Sequence, residues 1–466
     1  MPDYRRKAAR EAMSCRVDFN GMMSEALGET GIPRVEIEAL EPRIKEVSRN
    51  LEAQRAAGEI GFYSLPTQKD SVAEIKELAA ELRTESDTLV VLGIGGSSLG
   101  TKTLIGALET DRRVIVTDNV DPWRFGKLLD EIDLSRTTFN VISKSGETAE
   151  TMSQFLIVRD LLLRTFGGVD YTKHVVITTD AESGALRQVV HDEGFRSLPI
   201  PAGVGGRFSV LTAVGLLPAA FAGVRIDDLL AGAAWMDQRC READVWHNPG
   251  HMLGTCLYLA DTRHRQNVVV LMPYSDRLQY LSGWFAQLWA ESLGKDETVD
   301  GAQVNVGQTP VTAVGATDQH SLLQLFAEGP IDKVVIMLRV DDHGRDMQIP
   351  SGYADLESLS YLGGTAMGTL INLEQRATEL ALVKKKRPVI TLVTPQVDAF
   401  TVGQLFFLFE VAVVFAGGLY RINPFNQPGV EESKRLTYGQ MGRKGFEEKR
   451  AEVEAWTKRK REQYVL

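Results

Sequence analysis

Cysteine is scarce in this sequence, which contains only Cys15, Cys240 and Cys256 among its 466 residues. The three lie far apart, form no CxxC pair and are odd in number, so neither a zinc ribbon nor a disulfide framework is expected. We interpret them as small apolar residues in a reducing compartment. This pattern favours a cytoplasmic protein.

An excess of positive charge is also missing, because 52 Lys and Arg residues face 62 Asp and Glu residues, a net charge of −10. Nucleic acid and anionic lipid repel an acidic chain, so neither is expected as a partner. The basic run Lys384–Arg387 precedes a strand pattern and is interpreted as a solvated turn. An anionic substrate must therefore meet a local cluster of cations or backbone amides.

Long apolar runs are missing as well: Phe208–Val224 contains Pro218, and Leu405–Leu419 is interrupted by Glu410. Both runs fall short of the roughly 20 apolar residues that a membrane-spanning helix needs, so both predict core helices. The charged N-terminal residues are not followed by an apolar segment, so no secretory signal is expected.

The residues that are present suit a soluble globular enzyme, with 44% hydrophobic and 24% charged residues. A chain of this length exceeds one ordinary core, so two domains are expected. Apolar, β-branched runs recur between longer helical patterns, which is typical of parallel sheets covered on both faces. The predicted strands are Thr88–Leu92, Arg113–Thr117, Thr138–Ile142, His174–Thr178, Asn267–Met272, Lys333–Leu338 and Pro388–Val393.

A mostly helical stretch without strand signals, Val210–Arg265, divides these strands into two groups. We therefore predict an α/β fold with two α/β/α sandwich domains of mostly parallel sheets, at 60–225 and 226–435. A helical N-terminal segment, 1–59, precedes them, and a helical tail follows at 436–466. The tail places Phe446, Val453 and Trp456 on or near one face, so we expect it to pack against the body or a partner subunit.

Glycines cluster in Leu92–Lys102 (LGIGGSSLGTK), directly after a predicted strand. Glycines let the backbone approach an anion, and the amides of the following helix add donors. Two nucleotide motifs fail to fit, because Thr101 separates the last glycine from Lys102 and Ser98 occupies the third glycine position of a dinucleotide loop. Asp118, after the next strand, leaves a nucleotide as a weak alternative. Alone, this loop predicts an anion or a polyol nearby.

A second strand-to-helix junction, Ser143–Thr151 (SKSGETAET), is richer in donors. Ser143, Ser145 and Thr148 offer hydroxyls, Lys144 offers a cation, and the helix start offers free amides. A phosphate monoester has several oxygens to satisfy and suits this set. Ordinary helix capping is the alternative, but capping needs a single hydroxyl. The junction therefore favours phosphate binding.

Removing a proton next to a carbonyl needs a positioned base and a cation that holds the resulting oxyanion. Four segments contain suitable side chains: Arg207 in VGGRFS, Glu291 in AESLGKD, His320 in GATDQHS, and Gln427 with Lys434 in FNQPGVEESK. Glu291 lies near the end of a long apolar helix pattern, Gln279–Leu293, where a carboxylate is partly desolvated. Each residue also fits a surface or ion-pair role, and spacing alone does not assemble them into one site.

Metal-ligand spacings such as HExxH are absent from the sequence. His247 and His251 are four residues apart, but they enclose Asn-Pro-Gly, which breaks the helix that a metal pair needs. We therefore predict neither a metal nor another cofactor.

The segments GVGGRFS and FNQPGVEESK resemble the two diagnostic segments of the phosphoglucose isomerase family, in its shorter bacterial form. SKSGETAET and LGIGGSSLG resemble the loops of the wider sugar-isomerase (SIS) domain superfamily. The similarity runs from about residue 60 to 435 in the family's order. It implies two SIS-type domains and the reversible conversion of glucose 6-phosphate into fructose 6-phosphate without a cofactor.

Carried over to this sequence, the resemblance implies a role for each candidate residue. Glu291 would shuttle the proton between C1 and C2, and Arg207 would stabilise the enediolate. The remaining implied roles are ring opening by His320 and Lys434, sugar contact by Gln427, Gly96 and Ser97, and 6-phosphate binding by Ser143, Lys144, Ser145 and Thr148.

The resemblance also implies a homodimer in which His320 enters the site of the neighbouring subunit. Glu147 departs from the family pattern, and since a carboxylate beside a phosphate dianion is unfavourable, we expect it to point away. A non-catalytic phosphosugar sensor and an isomerase for another hexose phosphate are the alternatives. The joint presence of Glu291, His320 and Lys434 favours an enzyme over a sensor.

Overall fold

A computed structural model describes residues 3–168 and 170–466. The N-terminal segment contains three helices and one strand, followed by a helix that packs onto the first domain. In order these are α1 (Lys7–Ala12), β1 (Arg16–Asp18), α2 (Ser24–Leu27), α3 (Arg34–Ala56) and α4 (Asp70–Glu85).

The segment predicted to be helical, 1–59, thus contains one strand, β1, besides its helices. This strand pairs antiparallel with the strand Val389–Gln396, far along the chain. Three residues are too few to show a strand pattern in the sequence, and the edge of a distant sheet supplies their hydrogen-bond partners.

The first sheet consists of five parallel strands in the order β3-β2-β4-β5-β6. Leu89 and Val91 of β2 lie in one apolar cluster, whereas Val90 and Leu92 lie in another, so the sheet is covered on both faces. The elements are β2 (Thr88–Leu92), α5 (Leu99–Ala107), β3 (Arg113–Thr117), α6 (Pro122–Glu131), β4 (Thr137–Ile142), α7 (Ala149–Phe166), β5 (Val175–Asp180), α8 (Ala185–Glu193) and β6 (Arg196–Ile200).

Three helices without an intervening strand follow, as the sequence predicts for the stretch Val210–Arg265. They are α9 (Ala213–Phe221), α10 (Ile226–Arg239) and α11 (Pro249–His264). His251 of α11 is buried and stacks on Phe415 at 4.0 Å between ring centroids, and burial lowers its pKa to about 4. Exposed His247 instead contacts Asp244, so the two histidines do not act as a pair.

The second sheet has the strand order β1-β12-β11-β7-β10, in which only β1 is antiparallel. A separate antiparallel pair, β8 and β9, follows the helix α12. The elements are β7 (Val268–Pro273), α12 (Gln279–Leu293), β8 (Lys295–Glu297), β9 (Gln303–Val306), β10 (Thr309–Thr312), α13 (Leu323–Glu328), β11 (Lys333–Asp342), α14 (Glu357–Ser360), α15 (Met367–Lys384) and β12 (Val389–Gln396). The predicted class, an α/β fold with mostly parallel sheets, is confirmed.

Two edge strands that the sequence did not predict, β6 and β10, each contain a proline, Pro199 and Pro310. Proline cannot donate a hydrogen bond to a neighbouring strand, which hides a strand in a sequence pattern. Both strands lie at a sheet edge, where one side of the backbone needs no partner.

The helix α16 (Ala399–Tyr420) runs through the core against α10, α11 and α12. Gly232 and Gly403 let α10 and α16 approach closely, because a Cβ added at either would lie 1.8 or 2.0 Å from a carbonyl oxygen of the other helix. Among the described residues, α16 alone is long and apolar enough to cross a membrane, but 94% of its apolar window is buried inside the fold. This burial is typical of a core helix.

The predicted tail, 436–466, contains the end of α17 (Glu431–Gln440) and the whole of α18 (Glu447–Arg459). Phe446 packs edge-on against Tyr438, with 5.3 Å between the ring centroids. Trp456, which the sequence predicts to be packed, is 62% exposed in the single chain, where α18 makes its main contacts with α17.

Candidate active site

The two candidate loops lie side by side at the carboxyl end of the first sheet. β2 and β4 are parallel neighbours, and β3 lies on the other side of β2. The chain therefore winds in opposite directions from β2 and β4, which opens a crevice between the loops that follow them. Ligands of open α/β sheets bind in such crevices.

The backbone of the 143–148 loop is fixed from behind. The carbonyl oxygens of residues 143–145 accept hydrogen bonds from Thr179 Oγ1 at 2.7 Å, Asp180 N at 3.3 Å and Ala185 N at 3.2 Å. These acceptors are thereby occupied by the protein itself. The hydroxyls of the loop and the N-terminus of α7, which has no side-chain cap, are left as donors for an anion.

The hydroxyl groups of this loop do not cap α7. Thr148 is the N-cap residue, yet its side chain makes no capping hydrogen bond. It lies 3.0 Å from Ser143 Oγ, which also accepts from Gly146 N at 3.1 Å, while Ser145 Oγ accepts from Glu147 N at 3.2 Å. The alternative of ordinary capping therefore does not account for the three hydroxyls.

Glu147 is engaged by the C-terminal tail. Arg443 Nη2 donates to its carboxylate at 3.1 Å, and the Tyr438 hydroxyl donates to its carbonyl oxygen at 3.4 Å. The extra negative charge of the loop is thus paired within the chain.

Arg207 is held by the first glycine loop. A Cβ added at Gly96 would lie 2.2 Å from the backbone of Gly206 and 2.7 Å from Arg207 N, so only glycine allows the two turns to touch. Ser97 belongs to the same turn, and Ser209 Oγ donates to Gly206 O at 2.6 Å. The 95–97 turn therefore fixes where the Arg207 side chain begins.

The guanidinium of Arg207 lies in the interior, with 3% of the residue exposed. It donates through Nη1 to Glu291 Oε1 at 3.2 Å and to Gln427 Oε1 at 3.1 Å, and through Nε to Ser292 Oγ at 2.7 Å. Its Nη2 reaches the carbonyl oxygens of residues 424 and 426. Burial lowers the pKa of Arg207, and the Glu291 carboxylate opposes this shift.

Glu291 lies in the last turn of α12, whose observed bounds match the predicted ones. Its second carboxylate oxygen accepts from Gln287 Nε2 at 2.9 Å. The side chain is 24% exposed and opens into a cleft of about 940 Å³ that Lys295 and Gln427 also line. Glu291 is thus oriented by two donors while one side of it faces a ligand-sized space.

Gln287 is a site residue that the sequence reasoning missed. It precedes Glu291 by four residues, which places the two on one face of α12, and its amide nitrogen lies 3.0 Å from where a Cβ of Gly95 would be. The i, i+4 spacing was the signal available in the sequence. Gln287 therefore links the glycine loop to the carboxylate.

One backbone segment joins the phosphate-type loop to the carboxylate. Lys144 Nζ donates to Val204 O at 3.1 Å, and Arg207, three residues further on, contacts Glu291. Arg207, Glu291 and Gln427, from three of the four candidate segments, thus meet around one crevice beside the phosphate-type loop.

Lys434 and His320 are not brought to Glu291 within the single chain. Lys434 Nζ pairs with Glu431 at 2.8 Å and is 49% exposed. His320 is exposed at the end of a short 3₁₀ turn after β10, and its ring makes no hydrogen bond with the described residues. Asp118, which had left a nucleotide as an alternative, is paired with Lys102.

A family model described as "Phosphoglucose isomerase" matches residues 80–457, most of the chain. The chain belongs to the phosphoglucose isomerase family. The glucose-6-phosphate isomerase of Carboxydothermus hydrogenoformans is 42% identical over 454 residues, covering 95% of this chain and 97% of that protein. The glucose-6-phosphate isomerase of Thermus thermophilus is 39% identical over 399 residues, covering 85% and 94%.

Solved structures share the fold of this chain. A crystal structure of a hypothetical protein from Thermus thermophilus matches with a TM-score of 0.83 and 35% identity, covering 92% of this chain and all of that one. A glucose-6-phosphate isomerase from Chlamydia trachomatis matches with a TM-score of 0.80 at 22% identity, covering 91% and 90%, and shows the shared fold. The roles of individual site residues stay predictions.

Proposed function

We propose that the crevice around Glu291 interconverts glucose 6-phosphate and fructose 6-phosphate, a step of glycolysis and gluconeogenesis. The observation that carries this is the pairing of a buried guanidinium with an oriented carboxylate beside a hydroxyl-rich anion loop. A base and a cation at one carbon are what proton transfer through an enediolate requires. Membership of the family supports the same reaction.

In the proposed reaction, Glu291 removes the C2 proton of the open-chain aldose. The electron pair of the broken C–H bond forms the C1–C2 double bond, and the charge moves to the C1 oxygen. Arg207 lies beside the carboxylate and stabilises this oxyanion. The Glu291 carboxyl then returns its proton to C1, while the O2 proton moves to O1 and leaves the carbonyl at C2.

The loop of Ser143, Lys144, Ser145 and Thr148 would hold the 6-phosphate, with Gly96, Ser97 and Gln427 along the sugar. Two features of the loop support this assignment: its carbonyl groups accept hydrogen bonds from the protein and so point away from the ligand, and the N-terminus of α7 has no side-chain cap. The phosphate would anchor the end of the chain far from C1 and C2. Its binding energy is the same in ground and transition states.

Ring opening is assigned to Lys434 and to His320 of a second subunit in a homodimer. The exposed His320 ring, without a hydrogen bond to the described part of its own chain, supports a role outside that chain. Lys434 follows Gln427 by seven residues, on the helix that begins where the cleft lining ends. The site would then be complete only in the dimer.

The proposed domain limits, 60–225 and 226–435, put Arg207 in the first domain and Glu291 with Gln427 in the second. The catalytic crevice would thus lie between domains, with 1–59 and 436–466 as flanking segments. The first sheet spans residues 88–200, and all but one strand of the second sheet lie within 268–396, which supports this division. A cytoplasmic location agrees with the reaction and with the buried thiols.

The test is a coupled assay with fructose 6-phosphate, with mannose 6-phosphate as the competing substrate and EDTA added in a parallel run. We expect activity with fructose 6-phosphate and a Glu291→Gln variant whose kcat is lowered by about 10²–10⁴-fold, because the base is lost. Glu297→Gln, an exposed carboxylate on β8, is the matched control and should keep wild-type activity.

Calorimetry with fructose 6-phosphate separates an enzyme from a sensor. Binding by Glu291→Gln should stay close to wild type while turnover is lost. A wild-type protein that binds the sugar phosphate without converting it would identify a sensor. Normal turnover in Glu291→Gln would exclude this residue as the base.

A further inference from the structure

Lys295 lies at the start of β8, and its side chain folds back onto the C-terminal turn of α12. Its ammonium donates to the carbonyl oxygen of Glu291 at 2.7 Å and to that of Ser292 at 2.9 Å. Only 8% of the residue is exposed, and it lines the same cleft as Glu291 and Gln427. None of the roles assigned above accounts for this lysine.

These contacts satisfy carbonyl groups at the C-terminal end of α12. The last carbonyl groups of a helix have no partner within it and are commonly satisfied by a left-handed glycine turn. Gly294 follows α12, but its φ of −68° and ψ of 93° are not left-handed. The Lys295 ammonium therefore takes the place of such a turn at the residue that carries the proposed base.

Lys295 and Arg207 hold the same two residues through different groups. Arg207 binds the side chains of Glu291 and Ser292, whereas Lys295 binds their backbone carbonyls. A shift of the last turn of α12 would break both sets of contacts. The orientation of Glu291 thus depends on a lysine that need not touch the substrate.

The charge of this cluster is unbalanced. Arg207 and Lys295 contribute two largely buried positive charges, whereas of the two nearby carboxylates Glu291 is partly buried and Asp296 is exposed to solvent. Burial, and to a smaller extent Arg207, lowers the pKa of Lys295 to about 8, while Glu291 and Asp296 oppose the shift. A neutral cap would avoid this cost. Excess positive charge is useful where a reaction develops a negative one.

We propose that Lys295 is a positioning residue of the isomerase site, which fixes the turn that carries Glu291 and supplies a second positive charge toward the enediolate. The proposal rests on the isomerase function proposed above. It requires no direct contact between Lys295 and the sugar.

The first test compares Lys295→Met, which keeps the aliphatic stem and removes the charge, with Lys295→Arg, which keeps the charge. We expect kcat with fructose 6-phosphate to fall about 10- to 100-fold in Lys295→Met, because stabilisation of the developing charge is lost. KM and the inhibition constant of inorganic phosphate should stay within about threefold, since phosphate binding is remote from the change. Lys295→Arg should recover part of kcat.

The second test is the pH dependence of kcat, which a purely structural lysine would not shape. Lys295 carries its charge below its pKa and loses it as the pH rises through about 8, so wild-type kcat should decline there. The charged groups around it are Arg207, Glu291 and Asp296, and side chains of these types do not ordinarily titrate near pH 8. The decline should be absent in Lys295→Met and move to higher pH in Lys295→Arg.

The outcomes separate this proposal from the proposed function. An active wild type with an equally active Lys295→Met variant, or with a kcat that is flat through pH 8, overturns the role of Lys295 alone. A wild type without isomerase activity refutes both proposals. If Lys295→Met does not fold, as circular dichroism would reveal, the wild-type and Lys295→Arg pH profiles decide the matter.

Discussion

At the scale of single residues, two carboxylates of this chain meet opposite surroundings. Glu291 accepts from Arg207 and Gln287 and keeps one side open to a cleft. Glu410 lies in the middle of α16, and neither of its buried carboxylate oxygens has a hydrogen-bond partner among the described residues. Burial raises the pKa of Glu410 well above its usual range, which favours the protonated form in the fold. In the sequence it only marked an interruption of an apolar run.

Replacing Glu410 by methionine should stabilise the protein. The fold holds the Glu410 proton, whereas the unfolded chain releases it above about pH 4.3, so the wild-type free energy of unfolding falls as the pH rises above that value. At pH 7.5, Glu410→Met should raise this free energy by about 1–3 kcal/mol, because a buried polar group without a partner is removed. Denaturant unfolding at pH 7.5 and 5 measures the difference, which should shrink at pH 5.

The matched control is Glu448→Met, on the exposed face of α18. It should leave the free energy of unfolding nearly unchanged at both pH values. A stability gain for Glu410→Met that did not depend on pH would show that Glu410 carries no extra proton in the fold.

At the scale of elements, the junction between β4 and α7 uses its carbonyl groups to hold its own backbone in place and its side-chain donors to face a ligand. Its carbonyl groups accept hydrogen bonds from the neighbouring strand β5 and helix α8, while its hydroxyls and Lys144 lie at the carboxyl end of the sheet. Lys144 also contacts Val204 O, in the segment that leads to Arg207. Phosphate binding in this loop would thus be coupled, through the Lys144 hydrogen bond, to the segment that positions Arg207.

The combined variant Lys144→Ala, Ser145→Ala tests the loop. We expect KM for fructose 6-phosphate to rise about tenfold or more, with a smaller change in kcat, because phosphate contacts are alike in ground and transition states. Steady-state kinetics in the coupled assay supply both values. Lys127→Ala, on the exposed face of α6, serves as control. An unchanged KM would place the phosphate elsewhere.

At the scale of the whole molecule, no histidine is among the described residues that line the Glu291 cleft. Arg207, Glu291 and Gln427 meet in the crevice, while His320 lies exposed beyond the edge strand β10. Large apolar side chains are exposed as well in the 347–367 region, among them Met347 at 63% and Tyr361 at 70%. An interface with a second copy would cover apolar surface and bring in the histidine.

Mixing two inactive variants tests this arrangement. His320→Ala and Glu291→Gln, unfolded and refolded together in equal amounts, should regain about a quarter of wild-type activity, because half of the dimers are mixed and each mixed dimer holds one intact site. The coupled assay measures the recovery. Arg207→Ala mixed with Glu291→Gln is the control: both residues act within one chain, so every site of a mixed dimer carries one of the two changes, and no activity should return.

A mixture of His320→Ala and Glu291→Gln without recovered activity, in dimers verified by light scattering, would assign the histidine to its own chain. An isolated monomer with full activity would do the same.

The sequence by itself determined the buried strands, because a parallel strand covered on both faces is apolar without interruption, as β2 and β4 are. It also determined where the two donor-rich loops lie, since their glycine and hydroxyl residues come directly after buried strands. The bounds of α12 followed from a long apolar helical pattern. These features depend on residues that are close along the chain.

Only the tertiary structure decided which residues meet. Arg207 contacts Glu291 and Gln427, which lie 84 and 220 residues away, and no local pattern encodes such distances. The edge strand β1 was missed because it is short and its partner β12 lies far along the chain, whereas β6 and β10 were missed because each contains a proline. In the sequence, Lys295 could not be distinguished from a surface lysine. Only the fold shows that its ammonium donates to the carbonyl oxygens of Glu291 and Ser292 at the end of α12.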